Sequence, residues 1–91
     1  MKRKEILEVA TKCVCGGREC DHGQMEDNFR TTADLWNAYH GREIFCPHDV
    51  AMMLALLKVA RIKSGMSEDS YCDLAGYAAC AGEIAGRLNG E

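Results

Sequence analysis

The sequence predicts an all-α fold, a bundle of four helices. Three observations carry this reading. Hydrophobic residues make up 47% of the 91 residues but aromatic ones only 7%, and small aliphatic side chains suit close helix contacts better than a thick sandwich. The chain has one proline and few β-branched runs. The stretch Asp49 to Gly65, DVAMMLALLKVARIKSG, has only Lys58 and Arg61 as polar residues between Val50 and Ile62, and a long run rich in Met, Leu and Ala reads as a helix. A helix apolar nearly all round is normally surrounded by others, so this segment is expected at the bundle centre or at a subunit interface.

Each element follows from local signals. Residues 2–13 are expected as a first helix, with Ile6, Leu7, Val9 and Ala10 on its apolar side. Val14 to Gln24 reads as a loop, because three glycines and mixed charge interrupt it, and long ordered loops are often functional. The second helix, 25–39, carries a stripe of Phe29, Ala33, Trp36 and Tyr39 and ends at Gly41. Pro47 opens the third, 47–64, from a helix-start position, while Lys63 charges its last turn and Gly65 stops it. Ser67 is a good N-cap for the fourth, 68–88, with Glu68 and Asp69 placed for its positive end. That helix is built largely of Ala and Gly, and an interior glycine costs roughly 1 kcal/mol relative to alanine. Gly76 and Gly82 therefore suggest another backbone lying close to it.

Composition narrows the function. A net charge of -3 with no basic block argues against nucleic acid as the main partner. The basic N-terminus is interrupted by Glu5, Glu8, Thr11 and Lys12, unlike a secretory signal, and the apolar core of the third helix is too short to span a membrane. A cytoplasmic protein with reduced thiols at its six cysteines (Cys13, Cys15, Cys20, Cys46, Cys72, Cys80) is expected. The apolar surface of helices three and four exceeds what two short helices can cover, which predicts self-association as a homodimer or higher.

Three constellations could carry chemistry. Asp69 and Asp73 share one face of the fourth helix, continued by Tyr77 and Cys80, and Lys58 and Arg61 share a face of the third. Buried charges need partners, so the two pairs are expected opposite each other. Such a cluster is either a structural ion network or a site in which carboxylates hold Mg²⁺ while Lys58 and Arg61 hold phosphate oxygens. The glycine-rich segment offers Arg18, Glu19, Asp21 and His22, as a surface turn or as a ligand-contacting loop with Asp21 as a third carboxylate. Cys13, Cys15, Cys20 and His22 have a zinc-knuckle outline, CxCx4CxH, with Cys46 and His48 as further donors, but the spacing is tight and lacks a CxxC pair, so zinc is not expected. Met52 and Met53 read as core filling, and His40 as a solvated helix end.

Taken together, CVCGGRE at Cys13–Glu19, DHG at Asp21–Gly23, EDNF at Glu26–Phe29, LWNAY at Leu35–Tyr39, DVAMMLALLKVAR at Asp49–Arg61 and DSYCDLAGYAACAGE at Asp69–Glu83 resemble a small family of phage and prophage proteins of unassigned function. More distantly, the order DHG, K-x-x-R, D-x-x-G-Y is similar to nucleotide-modification-associated domains and to the all-α nucleoside triphosphate pyrophosphohydrolases of the MazG type. That resemblance implies an oligomeric helical bundle whose carboxylates bind Mg²⁺ around a triphosphate, and water attack on a phosphoanhydride with release of pyrophosphate. Asp73 would correspond to the closing acid of the pattern E-x-x-D, with Ser70 in the place of its first. The resemblance implies Asp69 and Asp73 as metal and catalytic residues, Lys58, Arg61, Arg18 and Tyr77 around the phosphate, and Asp21 and His22 from the loop. The competing expectation is a non-enzymatic accessory or interaction module with a structural ion cluster; a zinc-stabilised binding domain is a third.

Overall fold

The computed structural model describes residues 1–15, 19–65 and 67–90, with residues 19–24 described by their backbone alone. Four helices follow one another, α1 (Arg3–Val14), α2 (Glu19–His40), α3 (Pro47–Ser64) and α4 (Glu68–Leu88), and no strand occurs among the described residues. None of these helices is long and apolar enough to cross a membrane.

Helix α2 begins at Glu19, six residues before the predicted start, so residues 19–24 are helical rather than loop. Gly23 is the strongest helix breaker in ECDHGQ, and its cost of about 1 kcal/mol is carried by a 22-residue helix. The turn signal belongs to the neighbouring glycines of the sequence and does not extend through ECDHGQ.

Local chemistry sets the boundaries. Asn37 anchors the connection after α2: its side-chain amide donates to the carbonyl of Phe45 at 2.9 Å, and its carbonyl oxygen accepts from the N–H groups of Ile44 and Phe45 at 2.9 and 2.8 Å. Gly41 adopts φ 89°, the left-handed conformation that ends helices at glycine. Pro47 starts α3, and Asp49 accepts from the N–H of Cys46 at 3.0 Å, satisfying one of the donors left open there. Ser67 Oγ accepts from Ser70 N–H at the start of α4.

The core lies where α2, α3 and α4 meet: Phe29 and Ala33, Val50 and Ala51, Ala81 and Ile84, with Trp36, Phe45, Leu54 and Tyr77 packed against them. Trp36 and Phe45 meet edge-on at 5.5 Å. Helix α3 packs most extensively against α4, which also receives α1 on another side. The three-residue connection between α3 and α4 makes them an antiparallel pair.

Four expectations change here. Helix α3 contributes Val50 and Ala51 to the core but is not enclosed within the subunit: of the two expected places, bundle centre or subunit interface, the first is not met, since Met52, Met53, Leu56, Leu57 and Val59 face outward. The two methionines are therefore surface residues of this chain rather than core filling. Tyr39 and Leu7 are also exposed, because α2 and α1 each bury a narrower stripe than their apolar residues suggest. Of the two glycines singled out on α4, Gly76 meets a close neighbour, the Val14 side chain of α1, whereas Gly82 faces open space.

Candidate functional site

The pairing of α3 and α4 brings Lys58 against Asp73, with Nζ 3.0 Å from Oδ2. Lys58 projects from the same side of α3 as Leu54 and Ala55, which explains why its side chain is only 19% exposed. Asp73 is more open, at 37%. Arg61 and Asp69, one turn toward the connection on either helix, are both exposed, and no ion pair joins them. The expected four-residue cluster is thus half made: Lys58 and Asp73 pair, while Arg61 and Asp69 stand exposed. Asp49 belongs to the other end of α3, roughly 13 Å along the axis from Lys58 at 1.5 Å per residue, where it caps the helix.

Beside Asp73 opens a cleft of about 160 Å³, walled by Cys13 and Val14 of α1, Met25 of α2, and Cys72, Asp73, Gly76 and Tyr77 of α4. Tyr77 is half-buried, its ring tilted against that of Phe29 at 6.3 Å. A side chain at position 76 would narrow this cleft, since a Cβ there would stand 3.1 Å from the Val14 methyl. Burial pushes the Cys72 thiol above its ordinary value, helped by the charges of Asp69 and Asp73 and by Cys13. Cys72 therefore serves the site as a neutral wall, not as a thiolate.

A second cleft, of about 220 Å³, lies farther along α2 and α4, with Met25 lining both. Glu26 and Arg87 close it with an ion pair of 2.7 Å, and Glu83 stands on its wall. Sequence reasoning did not select these three. The spacing of Glu83 and Arg87, four apart on one helix face, was the available signal; nothing local links Glu26 to them. The Cys80 thiol, also raised by burial, borders this cleft rather than continuing the Asp73 site.

Arg18 lies outside the described residues, as do the side chains of Cys20, Asp21 and His22. Cys13 and Cys15 are exposed at the end of α1, and Cys46 at the start of α3, all as free thiols. Among the described residues no three His, Cys, Asp or Glu side chains are grouped to hold a metal ion.

These features define an all-helical domain in which interhelical ion pairs, Lys58–Asp73 and Glu26–Arg87, stand at clefts between the helices. A family model described as a domain of unknown function (DUF6378) matches residues 5–85, and the chain belongs to that family. It is similar to the Gene 55 protein of Mycobacterium phage L5, 42% identical over 74 residues, covering 80% of this chain and 47% of the phage protein. The Gene 55 protein of Mycobacterium phage D29 is 39% identical over 82 residues, covering 89% of this chain and 54% of its own length. The chain thus spans about half the length of these curated relatives. No solved structure matches it.

Proposed function

We propose that this phage-type protein binds the phosphate end of a nucleoside triphosphate together with Mg²⁺, in the manner of the MazG-type bundles, in the cytoplasm. The observation that carries the reading is Asp73, which pairs with Lys58 and at the same time lines an open cleft. Mg²⁺ keeps much of its water and is held by one or two carboxylates plus substrate phosphates. Asp73, with Asp69 one turn away, supplies those carboxylates. With Mg²⁺ and phosphate bound, Asp73 and Asp69 would hold the metal, and Lys58 and Arg61 would supply cations for the phosphate oxygens, Arg61 with fork geometry. At about 160 Å³ the cleft is smaller than the roughly 300–1,000 Å³ of whole-ligand pockets, so it takes phosphate groups and leaves the base outside, near Tyr77. Hydrolysis with release of pyrophosphate asks for further carboxylates. Asp21, one helical turn before Met25 on α2, is the candidate third, with Arg18 and His22 close to it in the chain.

The test is calorimetric titration and thermal denaturation with a panel of nucleoside triphosphates, each with and without Mg²⁺. A Mg²⁺-dependent stabilisation that Asp73→Asn abolishes is the expected result. No response at millimolar concentration overturns the proposal.

A second reading is favoured by the exposure of Arg61 and Asp69, which form no ion pair with each other among the described residues: a non-enzymatic accessory or interaction module in which Lys58–Asp73 is a strut between helices. On that reading Asp73→Asn changes stability and no ligand response exists to be lost. A zinc-stabilised domain through Cys13, Cys15, Cys20 and His22 is rejected if purified protein carries less than about a tenth of a zinc per chain.

A further inference from the structure

The outward face of α3 has a pattern that specifies what covers it. At 100° per residue, Val59, Met52, Lys63, Leu56, Asp49, Ala60, Met53, Ser64 and Leu57 fall on one arc of about 160°, and all but the half-buried Asp49 are exposed. Along its middle run Asp49, Met52, Leu56, Val59 and Lys63, spaced three, four, three and four apart. This is the repeat of a helix that packs lengthwise against one other helix. Leu56, at the centre of the stripe, is 62% exposed.

The charges on this stripe stand only at its ends and are opposite, Asp49 in the first turn and Lys63 in the last. We infer that the occupant is α3 of a second copy of this chain, packed antiparallel about a two-fold axis through Leu56. In that register Leu56 meets the partner's Leu56, Met52 meets the partner's Ala60, and Asp49 meets the partner's Lys63 at both ends. A parallel pairing would set Asp49 on Asp49 and Lys63 on Lys63. The antiparallel one also opposes the two helix dipoles, and each surface is its own complement, as a two-fold interface requires. Asp49 accepts the Cys46 N–H through one carboxylate oxygen, and the carboxylate has acceptor positions left for the lysine. Lys58 projects from the opposite side of α3, and no residue of α3 lines the cleft at Asp73, so that cleft stays open in the dimer.

Sedimentation equilibrium or light scattering of the purified chain tests this. A dimer is expected at about 50 μM, where a specific interface of ordinary size is saturated. Leu56→Glu is expected to yield a folded monomer, with unchanged helical circular dichroism because residue 56 is exposed in the subunit. Lys63→Glu places like charges at both ends of the antiparallel seam and weakens dimerisation by about tenfold or more at low salt; in a parallel pair it would merely replace one repulsion with another. A wild-type monomer at this concentration overturns the inference and leaves the face to another part of a longer protein or to a different partner. A dimer indifferent to Leu56→Glu overturns it as well, and indifference to Lys63→Glu alone overturns the antiparallel register. None of these outcomes depends on nucleotide binding.

Discussion

Lys58 and Asp73, on helices that neighbour each other across the short α3–α4 connection, form an ion pair of 3.0 Å in which the cation is the more deeply placed partner. That asymmetry decides what each substitution does. Asp73→Asn leaves a mostly covered ammonium without a counter-charge, whereas Lys58→Met leaves a carboxylate that water can reach. Discounted for partial exposure, Asp73→Asn is expected to cost about 1–2 kcal/mol and Lys58→Met less than about 1 kcal/mol. Urea denaturation of both variants checks the order; equal losses, or the reverse, would show that depth does not govern this pair.

Asn37 makes three hydrogen bonds to the connection between α2 and α3. Asn37→Ala removes all of them and leaves a part-buried carbonyl at Phe45 and two N–H groups to find other partners. A loss of about 2–3 kcal/mol is expected. Asn37→Asp keeps the acceptor and loses only the donor, so it should retain more stability than the alanine variant. Chemical denaturation of the two, compared with wild type, reads this directly.

Gly76 and Gly82, two of the three glycines of α4, should respond differently to alanine. Gly82 faces open space, so Gly82→Ala gains helix propensity without a clash and is expected to stabilise by about 0.5–1 kcal/mol. At Gly76 the new methyl would stand 3.1 Å from Val14 Cγ1, and a β-branched neighbour gives way poorly. Its gain is offset, so Gly82→Ala should melt at the higher temperature.

The thiols of Cys72 and Cys80 are pushed up by burial first and by nearby carboxylates second. Their folded-state pKa values lie above the unfolded ones, so the native state holds these protons after the unfolded chain has released them. Stability is therefore full below the ordinary thiol pKa and falls as pH rises past it. Denaturation from neutral to alkaline pH should show this decline, and Cys72→Ala should lessen it. At neutral pH, iodoacetamide should label exposed Cys13, Cys15 and Cys46 well before Cys72.

Much of the architecture was legible residue by residue. Pro47, Ser67, Gly41 and Gly65 marked helix ends because capping is a matter of a few adjacent atoms. Lys58 and Asp73 were legible as partners because each is a charge on the inner face of an otherwise apolar helix. The start of α2 was not, since the weak helix formers of ECDHGQ and its one glycine are carried by the long helix that follows. Nor was the Glu26–Arg87 pair, whose members are 61 positions apart.

By itself, the sequence determined the all-helical class and the four helices, through periodicity, propensity and end signals that act within a few residues. Only the tertiary structure decided that α3 buries one face and leaves a stripe of Met, Leu and Val outside, and that one of two available ion pairs forms. Local energies set whether a segment is helical, but they are nearly indifferent to rotation of that helix about its axis. Which side turns inward depends on the volumes offered by the other helices, here the small residues of α4 and the Phe29–Ala33 face of α2.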